Sequence, residues 1–294
     1  MTSSRRAFIR NGSLFLAGAA GALLEPRALA ADEKPVLRVG MLTDLHHADL
    51  EPKGTRYYRE TLGKLRECIA RFNEAKADFA IELGDYIDEA PTAELEAANV
   101  RAVEAEYAKF KGERHYVLGN HCVWTLTKQQ FRDNCAARAE HYSFDKGGFH
   151  FVLLDACYRA DGVPYGEKNF KWTDTEIPSP EREWLKADLE STNKKTIVCV
   201  HQRLDVQNQY GVKSAPQVRQ ILEESGKVLA VFQGHSHKND YHEINGIHYC
   251  TLAAMIEGSG EENNAYGLLS VFADGALKLD GFRQQKSHAF AAKR

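Results

Sequence analysis

Five short, largely apolar runs recur along the chain: Val36 to Leu42, Phe79 to Leu83, His115 to Leu118, Thr196 to Val200 and Val228 to Phe232. Each stops abruptly at glycine or at polar residues, the pattern of a buried strand running into a loop. Between the first two runs, Leu62, Leu65, Ile69 and Phe72 fall on one stripe, which predicts a helix from Thr55 to about Lys76. Pro91 opens a second helix, rich in alanine and glutamate, that extends to about Phe110. Strand, helix, strand, helix, strand is the order of an α/β unit with parallel pairing.

The second half of the chain mixes hairpins into this pattern. Thr127 to Ala139 reads as a helix, and His141 to Phe144 and Phe149 to Asp155 as a hairpin turned by Gly147-Gly148. Tyr158 to Pro180 is irregular and carries Tyr165, Phe170 and Trp172, so it is either a wall of a substrate site or a surface excursion. Pro180 to Leu189 and Pro216 to Glu224 read as helices, with Gln202 to Lys213 as a loop before the second. Asn245-Gly246 between strand-like runs predicts a two-residue hairpin, and Tyr266 to Phe272 with Ala276 to Phe282 a further one. The last residues, Gln284 to Arg294, read as a loose tail.

Composition refines the picture at the N-terminus. Arg5, Arg6 and Arg10 precede a mildly apolar stretch, Ser13 to Leu24, and Ala28-Leu29-Ala30 supplies small residues before a cleavage site. Residues 1–30 thereby resemble a bacterial twin-arginine export signal, which implies passage through the twin-arginine machinery to the periplasm or the medium. The apolar stretch is shorter than the ~20 residues that span a bilayer, so the mature form is expected to have no transmembrane anchor. Residues 31–294 read as a single domain. Without residues 1–30 the chain keeps 34 basic and 40 acidic side chains, a formal net charge of −6 that disfavours stable nucleic-acid binding. None of the six cysteines forms a Cys-x-x-Cys pair, and several sit in apolar runs as small buried hydrophobes.

The chemistry collects at the strand ends. Asp44 and His46 follow the first run, Asp85 the second, Asn120 and His121 the third, His201 the fourth, and His235 and His237 the fifth. In α/β folds the carboxyl ends of strands are where sites are built. Mixed oxygen and imidazole donors suit first-row divalent metals such as Mn, Fe, Zn or Co. One ion takes about four ligands, so this surplus points to two ions bridged by one carboxylate, with Asp85 the natural bridge. His47 doubles His46 and is the alternative donor there. Arg56, Tyr57 and Arg59, in the first turn after the Asp44-x-His46 loop, are candidate substrate contacts. His115, His141, His150, His242 and His248 have no motif support.

The ordered set Asp44-x-His46, Gly84-Asp85, Gly119-Asn120-His121, His201 and Gly234-His235-x-His237 resembles that of the calcineurin-like metallophosphoesterases. That resemblance implies a four-layer α-β-β-α sandwich of two mixed sheets with the site at strand C-terminal ends. It places Asp44, His46 and His237 on one metal, Asn120, His201 and His235 on the other, and Asp85 on both. His121 becomes the outer-sphere acid of a hydrolase of phosphoester or pyrophosphate bonds in a small phosphorylated substrate, the attacking hydroxide being generated between the metals. Where many members carry an acid after the Gly-Asn-His step, this chain has Cys122. The C-terminal run, with Asn245-Gly246-Ile247-His248-Tyr249 and Leu252 to Glu257, is similar to the manganese-dependent ADP-ribose and CDP-alcohol diphosphatases, and the wider pattern to cyclic-nucleotide phosphodiesterases. A non-catalytic metal-binding scaffold of the same fold, or a nuclease, is the alternative expectation.

Overall fold

The computed structural model describes residues 34–292, and the backbone of two short strands, Ala7–Arg10 (β1) and Ser13–Leu16 (β2). Those two strands pair antiparallel in a unit of their own, residues 1–31, separate from the compact unit of residues 32–294. The expected leader, its cleavage site included, otherwise lies outside the described residues.

Two six-stranded sheets build the main unit. One contains Leu37–Leu42 (β3), Phe79–Glu82 (β4), Glu113–Tyr116 (β5), Ala265–Val271 (β12), Leu277–Arg283 (β13) and His288–Phe290 (β14), in the order β14-β13-β12-β3-β4-β5. The other contains Tyr142–Lys146 (β6), Phe149–Leu153 (β7), Thr196–Cys199 (β8), Val228–Gln233 (β9), Asp240–Ile244 (β10) and Ile247–Thr251 (β11), in the order β10-β11-β9-β8-β7-β6. Within them β3, β4 and β5 run parallel, as do β7, β8, β9 and β11, and the remaining pairs are antiparallel.

Alternation along each strand assigns the layers. Val39, Met41, Phe79 and Ile81 from one sheet meet Phe151, Ile197, Cys199 and Phe232 from the other in a core between the sheets. The opposite faces are covered by helices. Thr61–Glu74 (α1), Ala93–Tyr107 (α2) and Lys128–Asp133 (α3) close a cluster around Leu65, Phe72, Tyr107 and Phe131. Ser179–Ser191 (α4) and Ala215–Ser225 (α5) close another around Val152, Leu185, Val198 and Val231. Helix, sheet, sheet, helix is the four-layer sandwich expected from the motif order.

Three boundaries depart from the sequence reading, each for a local reason. The first helix begins at Thr61, after a short 3₁₀ turn at Tyr58–Glu60, instead of Thr55. Lys53 and Arg56 bond to each other, and the Tyr57 N–H donates to Ile256 O, so this segment is held by a distant loop. Helix α3 stops at Asp133, six residues short of the expected Ala139, where the Asn134 side chain bonds the carbonyl of Gln130. The tail forms β14 because Phe290, 2 % exposed, inserts beside Phe232 in the core between the sheets.

Candidate metal centre

All five strand ends that carry the motifs belong to the parallel stretches β3, β4, β5, β8 and β9. Parallel strands in one sheet finish at the same edge, and backbone bonds stitch these edges together: Asp44 N–H donates to Gly84 O, His46 N–H to Asp85 O, and Gly234 N–H to His201 O. Across the two sheets, the His235 N–H donates to Asp44 Oδ2 at 3.1 Å. The centre therefore forms where the two sheets are joined.

Backbone conformation turns the side chains inward. Asp44, His46, Asp85, His235 and His237 all have positive φ, between 48° and 70°. Asp and His tolerate this left-handed region better than most residues, yet each such residue stores on the order of 1 kcal/mol or more that its surroundings must offset. Two glycines make the approach possible. A Cβ on Gly119 would lie 2.1 Å from the Asp85 backbone nitrogen, and one on Gly84 would lie 2.6 Å from His201 Nδ1.

Two groups of ligand atoms result. In the first, His46 Nε2 and His237 Nε2 are 3.0 Å apart, and Asp44 Oδ1 is 3.6 and 3.4 Å from them. In the second, Asp85, His201 and His235 gather, with His201 Nε2 3.0 Å from Asp85 Oδ2. Asp85 Oδ2 also lies 3.4 Å from His46 Nε2, so this one carboxylate faces both groups. Asp44 Oδ1, Asn120 Oδ1, His201 Nε2 and His235 Nε2 are buried and have no hydrogen-bond partner within the protein. Unpaired buried polar atoms are costly, and four on residues of one centre fit a cation, or two, as the missing partner.

The surroundings orient the rings and set their charge. Burial disfavours charge on His237, but Asp44 and Glu257 outweigh it and raise the imidazole to about 9. Glu257 itself is drawn down to about 2, chiefly by its 2.7 Å hydrogen bond to His237 Nδ1. His235 goes the other way: burial and the nearby His201 hold it at about 3. Asp85 stays well below the usual carboxylate range despite burial, because His201, His121 and His46 surround it. His201 Nδ1 faces the carbonyl of Leu83 at 2.9 Å, which leaves Nε2 as its ligand atom.

His46, not His47, points into the centre. His47 Nδ1 faces Tyr58 O and Thr61 Oγ1, both at 3.3 Å, where it supports the start of α1. Its 3₁₀ turn puts His121 beside the centre, ring edge toward His46 at 4.6 Å, with Nδ1 3.2 Å from Asp88 Oδ1. Asp88 also holds His46 Nδ1 at 3.0 Å and so ties the two imidazoles together. The carboxylate next to His121 thus comes from the turn after β4, while Cys122 is buried and its Sγ accepts the Tyr86 N–H. Asp88 escaped the sequence reading, although Gly84-Asp85-Tyr86-Ile87-Asp88 places it three residues after Asp85, within the same turn.

The three candidate substrate contacts separate. Arg56 reaches the rim, 3.6 Å from Asp88 Oδ2. Tyr57 is half-buried and fixed through its backbone to Ile256. Arg59 is taken up by the exposed Asp49 and Glu51, so it serves the surface instead of the centre. A cavity of about 470 Å³ opens beside His237 and Glu257 and is lined also by Thr55, Lys238, Asn263 and Lys286, none of which stood out in the sequence. Four of the five histidines without motif support have a hydrogen-bond partner of their own, Tyr142 for His115, Asp188 for His150, Asp205 for His242 and Tyr241 for His248, and His141 Nδ1 lies 3.4 Å from Glu181 Oε2. All six cysteines are free and five are buried, as their positions in apolar runs predict.

Residues 37–239 match the model of the calcineurin-like phosphoesterase family. The chain is 24% identical over 317 residues to a manganese-dependent ADP-ribose/CDP-alcohol diphosphatase of Arabidopsis thaliana, covering 89% of this chain and 99% of that one. It is 23% identical to the protein of the same description from Oryza sativa subsp. japonica, covering 84% of this chain and 92% of the relative. The fold of a dimetal phosphatase from Danio rerio superposes with a TM-score of 0.77 at 18% identity, over 88% of this chain and all of the other. With its motifs in order and its sandwich intact, this chain belongs to the calcineurin-like phosphoesterase family and is a metal-dependent hydrolase of phosphoester bonds.

Proposed function

We propose that the enzyme cleaves the diphosphate bridge of small nucleotide derivatives, with two divalent cations at the centre. Asp44, His46 and His237 hold one, Asn120, His201 and His235 the other, and Asp85 belongs to both. The observation that carries this reading is the position of Asp85, within 3.4 Å of an imidazole from each group, beside four buried ligand atoms without a protein partner. When bound, such a pair of cations lowers the pKa of a water and screens the charge of a phosphoryl group. Manganese and a diphosphate linkage are favoured because the two plant relatives are described as manganese-dependent diphosphatases over nearly their whole length.

The remaining steps fall to side chains. His121, with Nδ1 3.2 Å from Asp88 Oδ1, has Nε2 to give a proton to the departing oxygen. Arg56 sits on the rim at 34 % exposure, where its guanidinium can meet a phosphate oxygen. Lys238 and Lys286 supply positive charge along the adjoining cavity. For residues 1–30 we propose export by the twin-arginine route, supported by Arg5-Arg6, the apolar stretch after them and the small residues at 28–30. Replacement of both arginines by lysine should retain the protein in the cytosol, as read by cell fractionation.

The test combines metal content with turnover. Residues 31–294, purified and supplied with Mn, are expected to hold two metals per chain and to release AMP from ADP-ribose faster than they hydrolyse p-nitrophenyl phosphate, bis-p-nitrophenyl phosphate or cyclic AMP. One metal or none would overturn the shared role of Asp85. Preferential turnover of a monoester or a cyclic diester would overturn the diphosphate specificity while leaving the metal assignment standing.

A further inference from the structure

Two aromatic side chains from different loops converge on the same imidazole of the centre. Trp172, in the irregular segment after β7, has its ring 5.5 Å from that of His235. Tyr210, in the loop between β8 and α5, lies 5.7 Å from His235 and 5.7 Å from Trp172. Trp172 is 39 % exposed, among the few large apolar side chains in the described residues left open to solvent. Its segment is not loose: Tyr165 stacks on Phe170 within it, the Tyr165 hydroxyl donates to Asp174 O, and Lys213 pairs with Asp174 from the neighbouring loop. An indole held in place beside a metal centre with an open face is a surface for another ring.

We infer that Trp172, backed by Tyr210, is the stacking surface for the nucleobase of the substrate. The inference rests on the proposed diphosphatase reading and adds the direction in which the substrate lies. The base sits on the His235 side, the bond to be cut over the centre, and the other half extends toward the cavity beside His237. That cavity has the complementary lining, with Thr55, Lys238, Asn239, Asn263 and Lys286 and no Phe, Tyr or Trp, suited to a ribose or a polar alcohol. Geometry also decides which ring does the stacking. Two layers at van der Waals contact need about 7 Å between flanking rings, and Trp172 and Tyr210 are 5.7 Å apart at 37°, so the base rests on the outer face of the indole. Tyr210 keeps the indole from turning away.

Stacking of a base on an aromatic side chain has a known scale, which sets the expected effect at roughly 10-fold or more in affinity. The first readout is steady-state kinetics on the Mn-supplied protein with ADP-ribose and with diribosyl diphosphate, which keeps both riboses and the diphosphate but lacks adenine. Trp172→Ala should raise KM for ADP-ribose about 10-fold, leave kcat within about twofold and leave KM for the base-free compound unchanged. Trp172→Tyr should restore most of the loss. Equal rises for both substrates, or no rise for either, would overturn the stacking role.

A second readout needs no turnover. Calorimetric titration of the same protein with AMP and with ribose 5-phosphate should give a preference for AMP that Trp172→Ala abolishes. If the wild type hydrolyses neither diphosphate, the diphosphatase reading fails, and these titrations still decide the aromatic surface. An AMP preference that survives in Trp172→Ala would sink it.

Discussion

The two halves of the centre are built from similar ligands and supported differently. His46 and His237 are backed through Nδ1 by carboxylates, Asp88 at 3.0 Å and Glu257 at 2.7 Å. His201 is backed by the Leu83 carbonyl, and His235 is flanked by the rings of Trp172 and Tyr210. A carboxylate behind an imidazole stabilises its protonated form and makes the neutral ring a stronger donor, whereas a flanking aromatic ring supplies no such charge. Against burial, Asp44 and Glu257 raise His237 to about 9 and Asp85 and Asp44 raise His201, whereas burial and the neighbouring His201 hold His235 at about 3. Carboxylates on one side and aromatic rings on the other give the centre two unlike ends.

The largest effect should come from the residue the halves share. Asp85→Asn is expected to lower kcat/KM on the order of 10⁴-fold, about 5 kcal/mol of barrier, and to reduce metal content on both sides together. Retention of two tightly held metals would break the comparison at its bridge. Next, His121→Ala belongs to neither half: two metals should remain while kcat falls about 100-fold or more. Turnover at the wild-type rate would remove the proton-donor role of His121.

Glu257→Gln sharpens the contrast because it touches one half only. Loss of the carboxylate behind His237 should weaken one of the two metal sites by roughly 10-fold, read by Mn titration, and leave the other unchanged. Equal weakening of both sites would mean that the halves are not separable. His115 serves as a control outside the centre, with the smallest effect at neutral pH. Burial lowers its imidazole from the ordinary 6.5 to about 4, so between these values the unfolded chain binds a proton that the folded one excludes. Stability is therefore lost as pH falls from about 6.5 to 4, by up to ~3 kcal/mol. His115→Phe, which keeps a ring over Phe144, should flatten urea stability between pH 7 and 4.5. An unchanged slope would assign that acid sensitivity elsewhere.

Much of the centre was legible in the sequence because each motif is local. Asp44-x-His46, Gly119-Asn120-His121 and His235-x-His237 sit directly after strands whose apolar runs are unambiguous, so residue type and strand end coincide. Asp88 and Glu257 were harder to find. Neither stands in a motif, and what marks them is a contact made across the fold, 42 residues from His46 for Asp88 and 20 from His237 for Glu257. The N-terminal part of the first expected helix failed for a related reason: Thr55 and Tyr57 are bonded through their backbone to the loop at 256–258. The terminal segment read as a tail because three residues, His288–Phe290, are too short a strand to show a period, although Phe290 is among the buried residues of the core.

Periodicity and breakers along the chain determined the order of strands and helices, the strand ends that bear Asp, Asn and His, and hence the class of chemistry. These are properties of neighbours in sequence, and near-neighbour sterics and burial suffice to set them. The choice of His46 over His47, the pairing of His121 with Asp88, the turning of Arg59 to the surface and the meeting of Trp172 with Tyr210 at His235 followed only from folding. Each depends on which side chains from distant segments reach the same few ångströms, and that is set by packing the two sheets together.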